Sequence, residues 1–505
     1  MLKQKLLWTI LASAVVLTLA GCRQAGYESP EKTPTISVYG GGIGPIGDVS
    51  PVKEELEKKL GIKLEYIDST WETRHTKLDV MISSGKTPDL FTYGYIQGDK
   101  VNRLIQQDII MELTPCIESY PEIKKRMEAF SVITQYGKEK NYFIPVKSTD
   151  TEASVVCEHA WFYRKDIIEQ IGVPLPQNVE EFYEFLKAIQ EYQQKNGMNS
   201  ASPLTLQNQY FLYSIYDLFD TNLKGVENIN GTFQPAAVGE KMKQAVLFVR
   251  KLYEEGLLDR EFMLTPDWEF MFDKFLNGKS PVIYTNYKYD KMTELCRQAY
   301  PQKDPAEMIA YMPVLYNTSG QKKVSGVYNY FGGLFFKKEA DSTKARKKLE
   351  LIDYMMSEEG MRLLRYGIEG VHYKMENDVP VSILQSDFNG VPKRIENIDP
   401  SASIKSLVMY DVLFLDGQSK YREYITQMRD EYLQYAVVDN AFVYGIPAEQ
   451  LTIDPVVLEE FAETSMVSLI AEEKDFDAAW DEYCRRYMEK GGTQLAAYAE
   501  KYLVN

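Results

Sequence analysis

Histidine is nearly absent from this chain: His75, His159 and His372 are the only three among 505 residues. Cysteine is little commoner, at Cys22, Cys116, Cys157, Cys296 and Cys484, and no two of these stand at a zinc-ligand spacing. A histidine–cysteine metal centre is therefore not expected. The four cysteines after Cys22 are compatible with one or two disulfides and equally with buried thiols, and their spacing does not choose. Basic residues are outnumbered, 57 Lys and Arg against 73 Asp and Glu, for a formal net charge of −16. Such a surface repels nucleic acid and anionic lipid, and it suits a neutral or cationic ligand better than a strongly anionic one. After residue 19 no apolar run approaches membrane-spanning length, and neither an internal repeat nor a low-complexity block occurs.

What is present begins at the first residues, "MLKQKLLWTILASAVVLTLAGC". Lys3 and Lys5 give a positive start, and an apolar run from Leu6 to Leu19 ends in small residues. The run is short for a membrane span, so it has the form of a signal peptide. Its Leu19-Ala20-Gly21-Cys22 ending resembles the bacterial lipobox, which implies that Cys22 is lipidated and becomes the first mature residue. Residues 23–34, "RQAGYESPEKTP", are polar and contain proline, as a tether between lipid and folded body would. The expected location is the outer face of the cell membrane.

Gly42-x-Gly44-x-x-Gly47 follows a strand-like run and imitates a dinucleotide fingerprint. Ser50 and Pro51 look like N-cap and first residue of the next helix, so the glycines precede that helix by a full loop. A pyrophosphate site needs them within its first turn, and an exported protein meets little soluble NAD. No cofactor is expected, and the loop would instead let backbone approach a ligand. "SGKT" at 84–87 lacks the earlier phosphate-loop glycine, because that position is Val80. Asp475 and Asp477 lack the glycine and the terminal glutamate of a calcium loop.

From residue 35 strand-like and helix-like segments alternate: "TISVY", "SPVKEELEKKLG", "IKLEYID", "ETRHTKLDVMISSG", "PDLFTY". Gly61 and Gly85 fall where helices end. Asn178 with Glu181 forms a capping-box pattern before an amphipathic helix carrying Phe182, Phe185, Leu186 and Ile189 on one face. The alternation predicts an α/β fold with parallel strands, and 505 residues exceed what one core holds, so two lobes are expected. Ligands of such sheets lie at the carboxyl ends of strands.

Several segments in this order resemble extracellular solute-binding proteins of ATP-driven sugar importers, the family 1 type related to maltose-binding protein. They are "MISSGKTPDLFTY", "WFYRKDIIEQIGVPLPQNVEEFYEFLKA", "VRKLYEEGLLDREF" and "FLNGKSPVIYTN", the last departing from the family pattern at Pro281-Val282. "MSEEGMRLLRYGIEGVHYKM" is similar to the lipoprotein branch of Gram-positive bacteria, and the likeness extends loosely to "DFDAAWDEYCRRYMEKGGTQLAAYAEKYL".

The resemblance implies two α/β lobes and a hinge crossed near Ala153–Ala160, Lys279–Asn286 and Asn329–Phe336. Residues 35–155 and 279–330 are expected in the N-terminal lobe, and 156–278 and 331–505 in the C-terminal one. The implied function is capture of a carbohydrate, an oligosaccharide by preference, between lobes that close on it. Implied partners are permease subunits in the membrane, with no enzymatic step and no nucleic acid, and the chain is expected to be a monomer.

Tyrosine is abundant, 36 residues, and its flat face with a polar tip suits sugar rings. Tyr93, Tyr95, Tyr287 and Tyr289 match the family's cleft segments; Trp71 and Trp161 are chosen by position. Asp48 and Glu369 are candidates for binding hydroxyls. For each aromatic the competing reading is core packing, and for each acid a cap or salt bridge. An exported glycoside hydrolase and a peptide- or ferric-ion-binding protein are the rival functions.

Overall fold

Apolar alternation along short strands decides the architecture. The computed structural model describes residues 33–46, 50–70, 73–94, 99–131, 140–149, 155–265, 268–286, 289–384, 395–410, 422–438, 452–453, 455–472 and 474–503. The strands, in chain order, begin with β1 (Thr35–Tyr39), β2 (Lys63–Tyr66), β3 (Leu90–Tyr93), β4 (Phe143–Pro145), β5 (Val155–Val156), β6 (His159–Arg164) and β7 (Leu204–Thr205). A hairpin of β8 (Val226–Ile229) and β9 (Thr232–Pro235) follows, then β10 (Val282–Asn286), β11 (Ile309–Tyr311), β12 (Val324–Ser325) and β13 (Val327–Tyr328). The last are β14 (Gly333–Phe336), the hairpin β15 (Tyr373–Glu376) and β16 (Val379–Ser382), and β17 (Ala436–Val437).

Two larger sheets result. The first has the order β2-β1-β3-β14-β4, with β1, β2 and β3 parallel and β14 antiparallel to both neighbours. Successive residues of its strands enter different cores: Leu334 and Phe336 join one cluster, while Phe335 stacks on Phe91 at 5.6 Å in another. The second sheet, β11-β6-β10-β7, behaves alike. Trp161, Val282 and Tyr284 face one cluster, and Phe162 and Ile283 the other. Each sheet is therefore covered on both faces, the α/β arrangement expected. Every fully buried Phe or Leu in these layers contributes roughly 1.5–3 kcal/mol.

The lobe boundaries differ from the expected ones. β10, placed by expectation in the first lobe, pairs with β6 and β7 in the second sheet, and β11 joins it there. Conversely β14, expected in the second lobe, lies inside the first sheet. Residues beyond it divide: Leu349, Ile352, Leu364, Ile404 and Leu407 pack on the first sheet. Ile425, Met428 and Tyr432, and then Leu458, Met466, Trp480 and Leu495, pack on the second. A strand's own alternation does not specify which sheet takes it, which is why the assignment exchanged sides.

The chain crosses between sheets on short paired strands. β5 pairs antiparallel with β13, and β12 pairs parallel with β17. Gly326, between β12 and β13, has Val155 Cγ1 and the Ala436 Cβ only 3.1 Å from where a side chain would start. Buried Asn329 ties two passages together, its Oδ1 accepting from the Thr149 N–H at 3.0 Å.

Helix Pro51–Leu60 begins and ends where expected, with Gly61 at φ 63°. The Ser50 side chain does not cap it, however. Asp399 Oδ2 accepts from the Val52 N–H at 2.7 Å and Ser401 Oγ from Lys53 at 3.1 Å. The capping box at Asn178 is present, with Asn178 Oδ1 accepting from the Glu181 N–H at 2.9 Å. Among the described residues Cys116, Cys157, Cys296 and Cys484 are not joined in disulfides, and no helix is long and apolar enough to cross a membrane.

Candidate ligand-binding crevice

Because β1 and β3 are parallel, the loop Gly40–Ile46 and Gly94, which follows Tyr93, share one edge of the first sheet. Gly333, the first residue of β14, pairs with both Tyr93 and Pro145. Phe331–Gly332 and Val146–Thr149 therefore come to the same edge. In the second sheet Asn286, the last residue of β10, pairs with His159, the first of β6. β7 runs parallel to β10, so Leu206–Tyr213 arrives there too. Both edges adjoin the short paired strands that connect the sheets, and the space they border is the candidate crevice.

On the first edge the glycine loop is held down by Ser69, whose N–H donates to the Ile43 carbonyl at 2.8 Å and whose hydroxyl donates to that of Gly40. Gly40 is needed for packing: a side chain there would press on Leu407 and Thr92 at 3.2 Å. Gly42, at φ 80°, and Gly44 have open space around them, as a backbone surface for a ligand requires; Gly47 lies outside the described residues. The Phe331 ring is 38% exposed and sits edge-on to Tyr410 at 5.1 Å, with the Arg74 guanidinium 6.0 Å from its centre. Arg74 is positioned by the Tyr39 hydroxyl, which donates to its carbonyl at 2.6 Å. Burial pushes the Tyr410 phenol up, so it stays a neutral donor next to Thr92 Oγ1 at 3.4 Å.

The second edge is an aromatic cluster. His159 stacks on Tyr284 at 6.0 Å and meets Phe211 and Tyr213 edge-on at 5.3 and 6.1 Å. Tyr210, 40% exposed, leans on Phe211 and Tyr213 at 5.3 and 5.4 Å. Asn208 starts this turn, its Oδ1 accepting from the Tyr210 N–H at 3.0 Å. One partly open ring on each edge, Phe331 and Tyr210, is what a flat apolar sugar face needs.

The expected site residues fall in three groups. Tyr93 and Trp161 are described and buried, each 4% exposed. Tyr93 stacks on His75 at 5.3 Å with its hydroxyl donating to Asp79 at 3.3 Å, and Trp161 packs on Phe182 and Tyr284 at 5.2 and 4.9 Å. These two rings support the crevice walls and do not offer an open face. Glu369 is exposed in the turn between helix Glu358–Tyr366 and β15. Tyr289 begins helix Tyr289–Ala299, and its side chain is outside the described ones; Cys22, Asp48, Trp71, Tyr95 and Tyr287 lie outside the described residues altogether. Phe331, Tyr410, Tyr210 and Arg74 escaped the sequence reading. The aromatic density of "YNYFGG" and "QNQYFLY" was the available signal. Among the described residues no group of three His, Cys, Asp or Glu is placed to hold a metal ion.

Two sheet lobes with strand carboxyl ends meeting at a crossed junction define the class of two-domain solute receptors. Residues 47–362 match the model of the bacterial extracellular solute-binding proteins, and the chain belongs to that family. It is similar to the polygalacturonan/rhamnogalacturonan-binding protein YtcQ of Bacillus subtilis, with 23% identity over 394 residues, 74% of this chain and 75% of that one. It is 24% identical over 316 residues to the fructooligosaccharide transporter substrate-binding protein FusA of Streptococcus pneumoniae, 59% of this chain and 55% of FusA. Among solved structures, the alginate-binding protein AlgQ2 superposes with a TM-score of 0.73 at 16% identity, over 94% of this chain and 99% of AlgQ2. FusA in complex with kestose gives 0.70 at 18%, over 93% and 98%.

Proposed function

We propose that this protein is the lipid-anchored, extracellular receptor of an ABC-type importer, and that it captures an oligosaccharide between its lobes and hands it to membrane permease subunits. The observation that carries this is the crevice at the two strand edges, with Phe331 and Tyr210 open, in a chain of the solute-binding family. The carbohydrate named for YtcQ, FusA and AlgQ2 gives the ligand class. The protein changes no covalent bond of its ligand; closure stabilises the bound form because the ligand touches both edges. Tyr95, Tyr287, Tyr289, Trp71, Asp48 and Glu369 remain proposed contributors to binding, and Cys22 the proposed lipid attachment.

A thermal-shift screen against neutral and acidic oligosaccharides tests the reading. A ligand at a hundred times its dissociation constant adds roughly 2.7 kcal/mol of stability. Chromatography of the bound sugar after prolonged incubation should return it unchanged; shortened products would favour a hydrolase. For the anchor, radiolabelled fatty acid should enter the wild type and not Cys22→Ala, which should be released to the medium.

A further inference from the structure

Three polar atoms at the junction of the two edges are shut off from solvent and have no hydrogen-bond partner: Ser148 Oγ, Glu158 Oε1 and Asn286 Oδ1. Ser148 follows β4 on the first edge. Glu158 links β5 to β6, and Asn286 ends β10 opposite His159. Three separate stretches of chain thus bring bare polar groups to the place where the lobes join. Each such atom, left unmet, carries a desolvation cost that a ligand supplying partners removes.

The chemistry of the three groups is specific. Burial pushes the Glu158 carboxyl up, and Ser148, near enough to favour the ionised form without making a hydrogen bond, opposes this only in part. A carboxyl accepts and, when protonated, donates one O–H; a serine hydroxyl does both, and an amide oxygen accepts. Sugar hydroxyls, each a donor and an acceptor, complement that set. A carboxylate, which only accepts, fits less well: Asn286 Oδ1 has no hydrogen to give it, and Glu158 would repel it when ionised and could receive it only by keeping its own proton.

We propose that Ser148, Glu158 and Asn286 form an inner subsite that binds the hydroxyls of an uncharged sugar unit and rejects a uronate at that position. This rests on the oligosaccharide-receptor reading and narrows it, in contrast with the uronide polymers named for YtcQ and AlgQ2.

Isothermal titration of the full mature chain with kestose, maltotriose, galactotriose and trigalacturonate provides the test. At least one neutral trisaccharide is expected to bind roughly tenfold or more tighter than trigalacturonate, a ratio that unmet buried polar groups readily produce. Glu158→Gln, which keeps a donor and an acceptor, should hold neutral affinity within about threefold, while Glu158→Leu should lose about tenfold or more. Circular dichroism and unfolding midpoints of both variants separate loss of binding from loss of fold. Trigalacturonate binding as tightly as every neutral sugar overturns the selectivity. Unchanged neutral affinity in both Glu158→Leu and Ser148→Ala overturns the subsite while leaving the receptor reading intact. Failure of the wild type to bind any sugar of a broad panel removes the receptor reading, and the subsite with it.

Discussion

Asp399 caps the helix Pro51–Leu60 from 347 residues beyond Val52, its Oδ2 accepting from the Val52 N–H at 2.7 Å. Its other oxygen accepts from Ser401 N–H at 3.0 Å, so one carboxylate fixes both the turn at Pro400 and the start of helix Pro51–Leu60. The glycine loop enters that helix, so the cap also anchors one wall of the crevice. Replacing Asp399 with Ala should cost about 1–2 kcal/mol, toward the upper end because the site is buried. Urea unfolding measures it. A change below a few tenths of a kilocalorie would show that Ser50 or water takes over the role.

Glu463 predicts a pH dependence. Burial first, then repulsion from Glu459, pushes its carboxyl up from 4.5 to about 7, with Lys224 opposing. The folded value lies above the unfolded one, so the stabilisation is complete below the unfolded value near 4.5. It is lost as pH rises through about 7. The group is only partly buried, so solvent screening reduces the effect to the order of 1 kcal/mol. Glu463→Gln should be more stable than the wild type at pH 8 and indistinguishable from it at pH 5. Midpoints that differ equally at both values refute the assignment.

Phe331 and Tyr210 should behave as binding residues and not as core. Both are more than a third exposed. Phe331→Ala and Tyr210→Ala are each expected to weaken oligosaccharide binding by roughly 5- to 30-fold, about 1–2 kcal/mol for a lost stacking face. Unfolding midpoints should scarcely move. Trp161→Ala should do the opposite and destabilise by about 3–5 kcal/mol, because its ring is enclosed. Calorimetry alongside thermal melts distinguishes the two classes.

Gly332 cannot carry a side chain. It has φ 79°, and a Cβ there would collide with the backbone carbonyl of Tyr93. Gly332→Ala should lose about 2 kcal/mol or more and loosen the neighbouring Phe331 ring. A variant of unchanged melting temperature and affinity would show that this stretch yields without cost.

Much was legible in the sequence because it depends on neighbours in the chain. The strand–helix alternation after residue 35, the helix ends at Gly61 and Gly85 and the capping box at Asn178 are local, and the structure has each of them. Lobe membership of β10 and β14 was not legible, since a four- or five-residue apolar strand fits either sheet. The same limit hid the site. Tyr93, which ends β3, and Phe331, just before β14, are both aromatic and lie at one edge, yet one is turned into a core and the other toward solvent.

By itself, then, the amino-acid order determined the elements, the α/β class and the family likeness, all carried by periodicities and caps a few residues long. The tertiary structure alone decided which strands share a sheet, that Asp399 closes the helix at Val52, and which rings and bare polar atoms meet at the junction. Those outcomes depend on long-range pairing, where the free energy comes from excluding water between segments hundreds of residues apart, and no local pattern encodes that.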